Sequence, residues 1–231
     1  MEQWIYALLL VGSLSVPLIR SFENKIYFKG NWPALFAGIF VMMLVFIPWD
    51  IAFTRQSVWQ FNHDYVGGWF IAGLPVEEWL FFIIIPYAVM FIYEVLKYFL
   101  PRFYFPRFVR GLAFLLGIGM FVIALAFTGK IYTTIVAALT GILLLWQVFG
   151  RSWRSWLSHF FLAYIVSVIP FLIVNGVLTA LPVVSYNNTE NLALRITTIP
   201  VEDFAYLMSM MLIVTMVYEQ LRRRRGAVSS E

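Results

Sequence analysis

Seven apolar runs separated by short polar or basic stretches divide the chain, at about 4–19, 32–47, 75–96, 111–127, 131–149, 160–178 and 200–221. A bilayer-spanning helix needs roughly 20 mostly apolar residues, so the pattern predicts seven transmembrane helices joined by short loops, with no room for a soluble domain. The first run begins at Trp4 with no basic segment before it and no A-x-A-like site after it. It therefore reads as a retained helix rather than a cleaved signal peptide.

Composition sharpens this reading. Of the 231 residues 62% are hydrophobic, 19% aromatic and only 12% charged, against about 25% charged in a soluble domain. A water-soluble enzyme, a nucleic-acid reader and a disordered chain are excluded. Cysteine is absent and His63 and His159 are the only histidines, which removes disulfides, thiolate chemistry and a His-rich metal centre; no metal site is expected. The basic residues then orient the spans. The loops after spans 1, 3 and 5, together with the C-terminal tail, carry thirteen of the sixteen lysines and arginines, including Arg151, Arg154 and the Arg222 to Arg225 run. Arg55, Lys130 and Arg195 lie on the other side. The positive-inside rule places the C-terminus in the cytoplasm and the N-terminus outside, in what is expected to be a bacterial cytoplasmic membrane. The arginine run reads as an anchor after the last span.

Sliding the chain on itself reveals an internal repeat at an offset of 125 residues. LPVEEWLFFIIIPYAVMFIYE at 74–94 aligns with IPVEDFAYLMSMMLIVTMVYE at 199–219: Pro75, Val76, Glu77, Val89, Tyr93 and Glu94 recur as Pro200, Val201, Glu202, Val214, Tyr218 and Glu219. At the same offset Phe61-Asn62 meets Tyr186-Asn187, and Asp50 meets Asn175. Three spans reverse the chain direction, so two copies in one orientation need an extra span between them. The predicted fold is an all-α membrane protein with a 3+1+3 parallel repeat and a pseudo-twofold along the membrane normal. Within a single membrane domain over 1–231, repeat one occupies 1–100, the linking span 101–130, repeat two 131–221 and a basic cytoplasmic tail 222–231.

The chemistry is expected at the two P-V-E-[ED] elbows. Proline at a first helical position and an acid in the first turn are good helix starts, but capping does not explain four carboxyls, Glu77, Glu78, Glu202 and Asp203, at matched depth among only twelve acids. Acids in or at a membrane are costly and are functional candidates. Adjacent acids differ by about 100° around a helix, so one of each pair can face the bundle and the other the rim, and the pattern alone does not choose between them. Carboxyls from both repeats that converge in an apolar cavity can act as proton donors near neutral pH. Trp79 and Phe82 at the first elbow, Phe204 and Tyr206 at the second, and neighbours including Trp59, Phe61, Tyr65, Trp69, Phe81 and Tyr186 offer aromatic walls that could hold a cation. Asn62 and Asn187 are positioned to hydrogen-bond the elbow acids or the loop backbone, and Arg195 to pair with Glu202 or Glu190 or to mark the membrane surface. Glu94 and Glu219, about 25 Å further along their helices at 1.5 Å per residue, are expected to pair with Arg102 or Arg222. Trp4, Trp32, Trp153 and Trp156 read as interfacial anchors.

With its doubled elbows, each followed by a Tyr-Glu ending, the chain resembles the lycopene cyclase domain family, the small membrane cyclases of carotenoid biosynthesis found as two subunits or as one tandem chain. The resemblance covers nearly the whole chain and both repeats, and implies the tandem form. It implies an isomerase: an acid protonates the terminal double bond of a linear carotene, a further double bond of the same chain attacks the cation to close a six-membered ring, and a base removes a proton, giving γ- or β-carotene. Since one proton enters and one leaves, no cofactor is consumed. The implied partners are a carotenoid dissolved in the bilayer and other carotenoid-biosynthesis enzymes, with no nucleic acid. Glu77 or Glu78 with Glu202 or Asp203 would supply acid and base, and Glu77→Gln and Glu202→Gln would each reduce cyclisation strongly without loss of membrane expression. A small-solute transporter also uses 3+1+3 repeats, but its polar residues would sit nearer the middle of the membrane. A membrane prenyltransferase would carry D-x-x-x-D pairs for magnesium diphosphate, for which adjacent acids are a poor substitute. A retinal protein would need a lysine after Lys130.

Overall fold

A computed structural model describes residues 2–150 and 156–228, excepting the side chains of 225–228. Arg151, Trp153, Arg154 and the side chain of Arg225 therefore lie outside the described residues. Among the described residues seven helices are long and apolar enough to cross a membrane: α1 Ile5–Arg20, α2 Trp32–Arg55, α3 Val76–Phe99, α4 Pro106–Ala126, α5 Ile131–Phe149, α6 Leu157–Ala180 and α7 Val201–Val228. Their outer faces present Leu8, Leu115, Leu125, Ile165 and Ile169, an apolar surface suited to lipid.

The helix pairings repeat with the sequence. α1 packs on α3 as α5 packs on α7, and α6 packs on α3 as α2 packs on α7, with α4 lying against α5 and α6. α3 and α7 are the most buried spans and form the centre of the bundle. Close approach is built in where α2 crosses α7: a Cβ at Gly38 would lie 2.7 Å from the Val214 carbonyl oxygen, so glycine is what lets these backbones meet.

Three two-stranded pairs cap the elbow end. β2 Phe70–Ile71 pairs with β3 Leu74–Pro75, and β5 Arg195–Ile196 with β6 Ile199–Pro200. The two hairpins correspond in strand register at the 125 offset, with left-handed backbone at Gly68 and Ala193 and at Ala72 and Thr197, while Gly73 is left-handed and its counterpart Thr198 is not. The third pair, β1 Trp59–Phe61 with β4 Val184–Tyr186, joins the two repeats. Its central partners are Gln60 and Ser185, which are each other's counterparts, so the pseudo-twofold passes between them.

Two expectations need correction. The second span does not stop near residue 47: the helix runs through Pro48 and Asp50 to Arg55. Proline costs one backbone hydrogen bond, which packed membrane helices can absorb, so Asp50, beyond the end of that apolar run, is a helix residue only 1% exposed. Trp156 is not an interfacial anchor but is 1% exposed, its ring edge-on to Phe160 at 5.9 Å.

Opposite the elbows the repeats are stitched together by crossed contacts. Arg222 reaches Glu94 at 2.7 Å and Lys97 reaches Glu219 at 2.6 Å, while the Tyr93 hydroxyl donates to Glu219 at 2.7 Å. Lys97 and Arg222 occupy equivalent positions, as do the two glutamates, so each repeat supplies the cation that neutralises the other's acid.

Candidate active site

Pro75 and Pro200 end a strand and begin a helix in one step, because the fixed φ of proline suits both. The backbone N–H of the next residue closes each elbow, Val76 onto the Trp69 carbonyl and Val201 onto the Leu194 carbonyl, at 2.9 and 3.1 Å. The adjacent acids then diverge. Glu77 Oε1 accepts the Gly67 N–H at 2.8 Å, and its counterpart Glu202 Oε1 accepts the Leu192 N–H at 2.7 Å and the Thr133 hydroxyl at 2.6 Å. These two carboxyls hold the connecting loops against the helix starts. Glu78 and Asp203, turned by about 100°, line a cavity in the bundle instead.

That cavity, of about 60 Å³, gathers three carboxyls: Glu78, Asp203 and Asp50. Tyr6 donates to Glu78 Oε2 at 2.5 Å, and Tyr132 to Asp203 Oδ1 at 2.6 Å. These are corresponding contacts from α1 and α5, one residue out of register. Asp203 also accepts from the Tyr186 hydroxyl at 2.8 Å and from Asn175 Nδ2 at 3.4 Å. Asp50 Oδ1 accepts the Trp59 indole N–H at 2.6 Å, and its buried Oδ2 has no partner among the described residues. Burial first, and the neighbouring Asp203 carboxyl second, push the Tyr186 phenol well above its ordinary range, so it remains a donor. The aromatic walls are Trp59, Phe61, Phe81, Tyr132, Phe171, Tyr186 and Tyr206. The Tyr206 ring meets Phe46, Trp49 and Trp59 at 4.8, 5.0 and 6.3 Å.

Of the residues singled out from the sequence, Glu78, Asp203, Tyr206, Trp59, Phe61, Phe81 and Tyr186 line this cavity. Trp79, Phe82, Phe204, Asn62, Asn187 and Arg195 do not. Trp79 donates its indole N–H to the Ile71 carbonyl at 3.2 Å, Phe82 lies in the packed core beside Phe46, and Phe204 meets the edge of Phe171. The aromatic positions that do face the acids are Phe81 and Tyr206, three residues after Glu78 and Asp203, because i and i+3 share a helix face. Asn62 and Asn187 accept the N–H groups of Asp64 and Thr189, both at 3.0 Å. They are turn formers that satisfy loop backbone rather than the elbow acids. Arg195 bonds the Asn188 side chain at 2.7 Å and the Thr198 carbonyl at 3.3 Å, and lies over the Tyr186 ring; neither Glu202 nor Glu190 is its partner in these contacts. Sequence reasoning missed Asp50, Tyr6 and Tyr132 as cavity residues. The match of Asp50 with Asn175 was the available signal, obscured because the second apolar run was ended at residue 47.

A model of the family described as lycopene cyclase matches residues 3–96 and 129–221, two segments that together make up most of the chain. The chain belongs to the lycopene cyclase family. The two matched segments carry one elbow each and leave out the whole of α4. A bifunctional lycopene cyclase/phytoene synthase of Aspergillus oryzae (strain ATCC 42149 / RIB 40) is 30% identical over 66 residues, 29% of this chain and 11% of that relative. The chain thus spans only about a tenth of the curated relative. No solved structure matches it.

Proposed function

We propose that this membrane protein closes the linear ends of lycopene into ionone rings by proton transfer alone, as an intramolecular lyase of the isomerase class. The observation that carries the reading is the convergence of Asp50, Glu78 and Asp203 in an aromatic cavity within a lipid-facing helix bundle. Two phenols and an amide donate to Asp203, a donor set that suits a carboxylate and so a base. Asp50 and Glu78, the two cavity carboxyls that accept from one side-chain donor each, Trp59 and Tyr6, supply the acid. A proton delivered to the terminal double bond leaves a tertiary cation. The π electrons of a second double bond form the ring-closing carbon–carbon bond and move the charge into the new ring, and loss of a ring proton to the base restores neutrality. The π faces of Phe81, Trp59 and Tyr206 stabilise the cation on its way. Glu77 and Glu202 act as positioning residues that hold the elbows.

The test is expression in a bacterium that accumulates lycopene, followed by chromatography of the pigments. Conversion to γ- or β-carotene supports the reading; unchanged lycopene, with the protein verified in the membrane, refutes it.

A further inference from the structure

The acid cavity alone holds no more than a few waters, at about 10 to 15 Å³ each, so a linear C40 chain needs adjoining space. A groove of about 310 Å³ runs between α1, α3 and α6 and shares Phe81, Phe171, Asn175 and Leu207 with the cavity. Its lining is almost wholly apolar. At its outer side lie Val16, which is 63% exposed, and Gly12, where an added Cβ would meet no atom within 4 Å.

The pseudo-twofold predicts an equal groove between α5, α7 and α2, but there three inner positions carry larger side chains. Ser167 is replaced by Met42, Val174 by Trp49 and Ala88 by Ile213. Met42 is wholly buried, Trp49 stacks into the aromatic cluster around Tyr206, and Gly38 lets α2 close directly onto α7. Near-equal repeats have thus been made unequal around one shared acid cavity.

Building on the proposed reaction, we propose that the α1–α3–α6 groove is the single binding channel for the linear polyene, which reaches the acids laterally from the bilayer. One end is held at the acids while the rest of the chain occupies the groove. The two ends of a symmetric substrate are therefore processed in separate visits, with the one-ring product released between them.

The chain contains no cysteine, so Gly12→Cys introduces a unique thiol at the groove, and Gly119→Cys on α4, also in open space, provides a lipid-facing control. In detergent micelles lycopene is expected to slow labelling of the Gly12→Cys thiol by a membrane-permeant maleimide at least threefold and to leave Gly119→Cys unchanged. Val174→Trp, which copies the filled side, is expected to abolish that protection and to lower lycopene conversion tenfold or more, with Ser167→Met as a milder second filling variant should Val174→Trp not accumulate. Equal labelling with and without lycopene, or wild-type conversion by both filling variants, overturns the channel. A wild-type chain that leaves lycopene unchanged overturns the reaction instead, while protection at position 12 still reports whether a polyene occupies the groove.

Discussion

Glu202 and Asp203 are neighbours in sequence with the same charge, but they have different hydrogen-bond partners, and the proposed reaction gives them different work. Asp203→Asn replaces a carboxylate that accepts hydrogen bonds from Tyr132 and Tyr186. The amide keeps the volume but cannot take a proton, and its NH₂ group meets a phenol that also needs an acceptor. General base catalysis contributes about 10²- to 10⁴-fold, or roughly 3 to 5 kcal/mol of activation free energy. Glu202→Gln keeps an oxygen for the Leu192 N–H and the Thr133 hydroxyl, losing only the charge assistance of those bonds, about 1 kcal/mol. Initial rates of lycopene loss in isolated membranes, normalised to protein detected there, are expected to fall at least a hundredfold for Asp203→Asn and less than tenfold for Glu202→Gln. Equal losses in the two variants would refute the division between base and loop clamp.

In the first repeat, Glu78→Gln is expected to cost at least thirtyfold in conversion rate and Glu77→Gln less than tenfold, measured in the same membranes. Asp50→Asn is expected to lower conversion by at least tenfold without changing the protein level, since its indole partner can still donate to the amide oxygen. Glu94→Gln and Glu219→Gln are each expected to lower thermal stability by about 1 to 3 kcal/mol, between the values for exposed and buried pairs, with the cyclisation rate at low temperature kept within threefold. Gly38→Ala is expected to destabilise the bundle by about 1 to 3 kcal/mol through overpacking, read as a lower aggregation temperature in detergent. If the N-terminus lies outside, Trp69→Cys, at a position 77% exposed, reacts with an impermeant maleimide in intact cells; reaction only after lysis reverses the orientation.

Most of the fold was legible because membrane helices are written in long apolar runs and because a repeated Pro-acid elbow is too specific to arise by chance. The charge at the far end was legible in part. Glu94 was expected to meet Arg102 or Arg222 and meets Arg222, whereas Glu219 is held by Lys97 from the other repeat, a crossing that only packing decides. The site was less legible for three reasons. Which of two adjacent acids faces inward depends on where neighbouring helices sit, as does the choice of Phe81 over Phe82. A helix that continues through proline left Asp50 outside the second apolar run. The β1–β4 pair that brings Trp59 and Tyr186 to the cavity is three residues long, shorter than any periodicity can reveal.

The crossed pairs Arg222–Glu94 and Lys97–Glu219, with Gln60 facing Ser185 on the axis, obey the rule of an isologous interface: if position i on one side touches j on the other, j touches i in return. A single chain has no need of that reciprocity, whereas two identical subunits cannot avoid it. The bundle therefore has the contact surface of a symmetric dimer, with α4 as the tether between its two halves. Because both halves lie in one chain, a residue can differ between them. That freedom is what allows Trp49 to fill space on one side while Val174 leaves it open on the other.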